Sequence, residues 1–173
     1  MSNRMYFLPD HVDFYSTNSS ESLAEDLSHN IVEILKQSIK SDGRASLAVS
    51  GGRTPIPLLD ALSDLKLDWS SVDLTLVDDR WVEPSHEDSN ERLVRAHLIK
   101  NKAKKINFVP LKNNNKTAKD GHKLSEELLQ KVKLPFDLVV LGVGSDGHTA
   151  SLFPCSDELT EGMSLNNPCR LIA

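Results

Sequence analysis

The chain has 173 residues, 39% of them hydrophobic and 26% charged, with a formal net charge of −5. That length supports one sizeable core, so one domain over residues 1–173 is expected, and the acidic balance argues against nucleic acid as a partner. The N-terminal stretch "MSNRMYFLPDHV" has no apolar leader core, and the apolar runs are strand-sized, well short of the roughly 20 residues of a membrane helix. No membrane partner is therefore expected. Cys155 and Cys169 have no close ligand spacing and no dense disulfide pattern, which fits two reduced thiols in a cytoplasmic protein.

In chain order, "SESLAEDLSHNIVEILKQSIKSDG" sets Leu23, Leu27, Ile31, Ile34, Leu35 and Ile39 at helical spacing. Ser22 with Glu25 suggests a capping box, and Gly43 a left-handed helix end. "ASLAVS" (45–50) predicts a short buried strand that runs into "GGRTPIPLLDALSDL", a glycine turn and a helix with Thr54 as N-cap and Pro55 at its first position. "VDLTLVDD" (72–79) reads as a strand and "SNERLVRAHLIK" (89–100) as a helix. "INFVPL" (106–111) follows as a strand. "TAKDGHKLSEELLQKVK" is expected to be helical in its second half, and "FDLVVLGVG" (136–144) reads as the clearest buried strand. "CRLIA" looks like the start of a further strand. Alternating strands and helices predict an α/β fold, a mostly parallel Rossmann-like sheet flanked by helices and incomplete at its C-terminal end.

Ligands of open parallel sheets bind beyond the carboxyl ends of the strands, and three strand ends here carry polar residues. In "SGGRTP" Ser50, Gly51, Gly52, Arg53 and Thr54 fit an anion cradle and a tight strand-to-helix turn about equally well. "DDRW" places Asp78, Asp79 and Arg80 at the second end, where arginine can fork onto a phosphate or carboxylate; a surface Asp–Arg pair is the bland alternative. Trp81 reads as packing. In "SDGHT" Asp146 and His148 lie two apart around Gly147, so a carboxylate can orient an imidazole that takes up and returns a proton. An exposed histidine in a polar turn is the alternative. No other His or Cys repeats a metal-ligand spacing, so no metal site is expected, and His11, His29, His86, His97 and His122 read as surface residues. Ser50 and Ser145 lack a nucleophile-elbow setting, which leaves activated water as the nucleophile.

"LAVSGGRTP", "LTLVDDRWVEPSHEDSNERLV" and "FDLVVLGVGSDGHTASLFP" resemble the 6-phosphogluconolactonase family, within a wider group that includes glucosamine-6-phosphate deaminase. The resemblance implies hydrolysis of 6-phospho-D-glucono-1,5-lactone in the oxidative pentose phosphate pathway, with no metal or organic cofactor. It implies His148 as general base and Asp146 as its orienting partner. Arg80 and the Gly51–Thr54 turn would hold the phosphate or offset charge, Asp78 would be a further site acid, and Asn90 a structural match. Relatives often have Asp-Glu-Arg where this chain has Asp78-Asp79-Arg80. Family members also continue beyond "SLFP" with a phosphate-facing lysine and a Pro-x-x-Arg stretch, whereas here no lysine follows Lys133. That contrast suggests C-terminal truncation and leaves an inactive phosphosugar-binding fragment as one alternative. A sugar-phosphate isomerase or deaminase is the other, though such relatives carry Asp-Glu-Tyr in place of "DDR". Oligomeric state is open at this level.

Overall fold

The structure, a computed structural model, describes residues 9–173. Its main elements are α1 (Ser20–Asp42), β1 (Ala45–Val49), α2 (Ile56–Asp64), β2 (Val72–Leu76), α3 (Asn90–His97), β3 (Asn107–Phe108), α4 (Ala118–Leu129), β4 (Leu138–Val140) and α5 (Leu159–Gly162). The four strands form one all-parallel sheet in the order β3-β2-β1-β4. Leu47 of β1 sits opposite Leu74 of β2 on one side and Leu138 of β4 on the other. This is the α/β sheet expected from the alternating pattern.

Every residue of β1 and β2 is buried, as suits central strands with helices on both faces. Ile31 and Leu35 of α1, Leu59 and Leu62 of α2, and Val94 of α3 pack on them in one apolar cluster. Trp69 is buried in the turn before β2, and its indole N–H donates to the Leu65 carbonyl at 3.0 Å, so the ring is buried without an unpaired donor.

Several local expectations change. The cap of α1 is Ser19, whose hydroxyl accepts from the Ser22 N–H at 3.1 Å, in place of a box built on Ser22. Gly43 ends that helix at φ 78°, as the pattern indicated. Helix α2 begins one residue late, with Pro55 at the cap position, so Thr54 is released from capping. Helix α4 starts at Ala118, with Thr117 as cap, and includes Gly121. That glycine is a packing requirement: an added Cβ would lie 2.3 Å from the Trp81 ring.

The largest correction concerns β4. It is only three residues long, it pairs with β1 alone, and Val139 is exposed. Its apolar run belongs to an edge strand, and Leu141 and Val143 beyond it are also exposed. "CRLIA" forms no strand; Leu171 instead donates its N–H to Glu126 of α4 at 2.6 Å.

Candidate active site

In the order β3-β2-β1-β4 the chain moves to one side of β1 with β2 and to the other with β4. That arrangement opens a crevice at the C-terminal ends of β1 and β4, the switch point where parallel sheets bind ligands. A cavity of about 550 Å³ lies there, and Gly51, Gly52, Thr54, Asp78, Arg80 and His148 contribute to its wall. All three polar strand ends read from the sequence therefore meet at one cavity.

The turn after β1 is shaped by its glycines. Gly52 takes φ 87°, a conformation open to glycine and costly for other residues. Among the described residues, the backbone N–H groups of Gly51, Gly52, Arg53 and Thr54 donate to no protein acceptor. Four consecutive donors bent around a left-handed residue make a concave nest for negative charge. The Thr54 hydroxyl, free of any capping bond, lines the cavity. The Arg53 side chain is exposed and lies outside the cavity wall. The Ser50 hydroxyl is already committed: it donates to Val140 O at 3.0 Å and accepts from Gly142 N at 3.1 Å, stitching β1 to the segment after β4.

The segment after β4 forms a further part of the wall. Gly144 N–H donates to His148 O at 2.8 Å and Gly147 N–H to Gly144 O at 3.0 Å, closing a tight loop in which Gly147 has φ 86°. Asp146 Oδ1 accepts from the backbone N–H of His148 at 3.2 Å and sits 2.5 Å from His148 Nδ1. The ionised carboxylate can only accept, so Nδ1 carries a proton and, in the neutral imidazole, Nε2 is the nitrogen with the lone pair. The hydrogen bond from His148 holds the Asp146 carboxyl below the usual carboxylate range. Asp146 and Gly147 act from behind the imidazole, since only His148 of the three reaches the cavity wall. Phe153 closes the other side of the ring, with centroids 4.4 Å apart.

Gly144 leaves room for this ring: a Cβ there would fall 2.2 Å from His148 Cε1 and 2.3 Å from Nδ1. Gly144→Ala is therefore expected to push the imidazole off Asp146. Since small misplacements of reacting groups can cost about 10²-fold, turnover should fall by roughly that factor. A kinetic assay beside a thermal melt checks this, and unchanged turnover would refute it.

The loop after β2 is organised by its acids. Asp79 accepts from the N–H groups of Asn90 (2.7 Å), Arg80 (2.8 Å) and Glu91 (3.2 Å), capping α3 from outside. Burial pushes the Asp79 carboxyl upward, and the three N–H bonds offset this only in part. The shorter Asp side chain at this position reaches its donors directly. Asp78 Oδ2 accepts from the Ser151 hydroxyl at 2.7 Å, linking this loop to the one bearing His148. Arg80 Nη1 donates to Asp88 O at 2.8 Å, and among the described residues no carboxylate forms an ion pair with its guanidinium. The surface Asp–Arg pair is not formed, and Arg80 lines the cavity.

Sequence reasoning missed several contributors. Leu23 and Leu27, which share the helical stripe of α1, are exposed and give the cavity an apolar side. Ser151 and Phe153 lay inside a quoted motif, but only their neighbours' chemistry was legible. The structure also brings one donor atom each of His122, Glu126 and Cys169 within 4.8 Å of one another, a grouping that chain spacing did not reveal. His122 Nε2 donates to Leu171 O at 2.8 Å and Glu126 accepts from Leu171 N, so both hold the chain's own backbone.

Residues 18–170 match the family described as glucosamine-6-phosphate isomerases/6-phosphogluconolactonase. The chain belongs to this family. Within it, a 6-phosphogluconolactonase of Pseudomonas aeruginosa is 41% identical over 156 residues, covering 90% of this chain and 66% of that relative. One from Rhizobium meliloti is 43% identical over 147 residues, covering 85% of this chain and 63% of the relative. The crystal structure of a 6-phosphogluconolactonase from Shewanella baltica superposes with a TM-score of 0.88 at 44% identity, covering 91% of this chain and 67% of that one. The chain thus spans about two thirds of the length of these family members.

Proposed function

We propose that this protein hydrolyses 6-phospho-D-glucono-1,5-lactone to 6-phosphogluconate, in the cytoplasm, as a step of the oxidative pentose phosphate pathway. The observation that carries this reading is the meeting of two functions at one cavity: an Asp146-fixed imidazole, and the Gly51–Thr54 nest with an Arg80 that has no carboxylate partner among the described residues. Relatives bearing the name 6-phosphogluconolactonase, at about 40% identity, support the choice of substrate. A charged phosphosugar does not cross membranes unaided, which fits an intracellular reaction, and no described helix is long and apolar enough to span one.

In this reading His148 Nε2 takes a proton from water as its oxygen adds to the lactone C1. Negative charge on the carbonyl oxygen is offset by Arg80 or by nest N–H groups, whichever the phosphate leaves unused. Collapse of the tetrahedral adduct breaks the bond from C1 to the ring oxygen, and the imidazolium returns its proton to that oxygen. Water and lactone are thereby converted to the hydroxy acid, with no oxidant, reductant or cofactor consumed. Asp146 stabilises the cationic imidazole throughout. Asp78 holds the two loops in register through Ser151.

Lactone generated in situ from glucose 6-phosphate provides the test. Acid release by the purified chain should exceed the spontaneous rate, while glucosamine 6-phosphate should yield no ammonia. Acid release at the spontaneous rate would overturn the lactonase reading, and ammonia release would replace it with the deaminase one.

A further inference from the structure

Asn90 opens α3, is 4% exposed, and lies between the two anion-facing elements. Its backbone N–H is held by Asp79 Oδ1 at 2.7 Å, and its carboxamide nitrogen donates to Asp78 O at 2.9 Å. The carboxamide oxygen faces Arg80 Nη1 at 3.4 Å, the longer of that nitrogen's two contacts. This network also orients the amide, since a carbonyl must meet the NH₂ and a guanidinium the oxygen. On its remaining side the carboxamide fills the space where a Cβ of residue 51 would stand. Such an atom would lie 1.9 Å from Asn90 Oδ1 and 2.1 Å from its Cγ. Gly51 has no positive φ to demand a glycine, so its identity is set by Asn90.

We propose that Asn90 is a positioning residue that locks the Gly51–Thr54 nest to the Asp78–Arg80 loop, so that nest and guanidinium act as one preformed anion-binding unit. The inference rests on the phosphosugar reading of the cavity. The chemistry required is specific. Aspartate would set an oxygen against the Asp78 carbonyl, leucine would leave Asp78 O without its donor, and glutamine would drive its longer stem into Gly51. Asn90 lines the cavity, but its carboxamide is engaged by Asp78 O and Arg80, so it acts through Gly51 and Arg80.

The test has two parts with separate readouts. First, Gly51→Ala, Asn90→Ala and the double variant form a cycle read by thermal unfolding. Gly51→Ala alone should lower the Tm markedly. In the Asn90→Ala background the clashing carboxamide is gone, so the added methyl should lower the Tm much less. Additive Tm changes would overturn the interlock, whether or not the chain hydrolyses a lactone. Second, Asn90→Ala and the isosteric Asn90→Asp should weaken 6-phosphogluconate binding and raise KM by about tenfold or more, the scale of one lost bond to a charged group. The pH profile of kcat should stay that of the wild type, because His148 and Asp146 are untouched. Unchanged KM and product affinity in a folded Asn90→Asp protein would overturn the positioning role. A wild-type chain that neither binds 6-phosphogluconate nor opens the lactone would sink the proposed function, and the positioning role with it; the unfolding cycle would then decide only the interlock.

Discussion

His148→Gln is expected to lower kcat for lactone hydrolysis by about 10²–10⁴-fold, the usual contribution of a positioned general base. Glutamine can still donate to Asp146, so the loop retains its closure, but it cannot accept a proton from water near neutral pH. KM should change far less, because the Gly51–Thr54 nest and Arg80 belong to other strand ends. Measured rates must first be corrected for spontaneous opening of the lactone. A glutamine variant with wild-type kcat would remove His148 from the chemistry, whatever the family relationship.

The second large effect concerns stability. Asp137, just before β4, gathers donors from α1, from β1 and from the connection after α4. Its carboxylate accepts from Ser46 N at 2.7 Å, Ser46 Oγ at 3.1 Å and Lys133 Nζ at 2.6 Å, and from the Ser38 hydroxyl. It thereby fastens α1 and β1 to the strand that carries the His148 loop. Asp137→Ala should reduce the unfolding free energy by about 2–4 kcal/mol, the scale of losing charge-assisted bonds and stranding their donors in a mostly buried place. Burial alone would raise the Asp137 carboxyl, but the Lys133, Ser38 and Ser46 bonds outweigh it and hold the group below its ordinary value. A carboxyl depressed in the folded state contributes its stability above the unfolded value, near 3.9, and loses it as pH falls through the folded value. Urea unfolding should therefore show the full wild-type advantage at neutral pH and a shrinking one below about pH 4. An equal difference at neutral and acid pH would contradict this account.

Much of the site was legible because its parts are local. Glycine pairs, a Ser-Asp-Gly-His turn and a short acidic strand end each announce a backbone or a proton chemistry within a few residues. Residues whose role depends on a distant partner were not legible in this way. Thr54 looked like a helix cap until Pro55 took that position and released the hydroxyl to the cavity. Nothing in the sequence marked Gly121 as a packing position; only the fold sets the Trp81 ring against it. Leu23 and Leu27 share the helical stripe of Ile31 and Leu35, yet only the latter pair meets the sheet. The stripe records which face is apolar; the packing of α1 on the sheet decides how far along the helix that face is covered.

Periodicity and turn chemistry in the chain alone thus determined the α/β class, the order of its elements and the placing of Asp146 and His148 in one turn. Those properties arise within one helix turn, one strand or one loop, where bonded geometry dominates. The tertiary structure decided which strand lies at the edge, why residue 51 is glycine, and that Ser151 ties the histidine loop to Asp78. Each of these joins residues far apart in sequence, and such contacts exist only after the parallel strands have aligned their carboxyl ends.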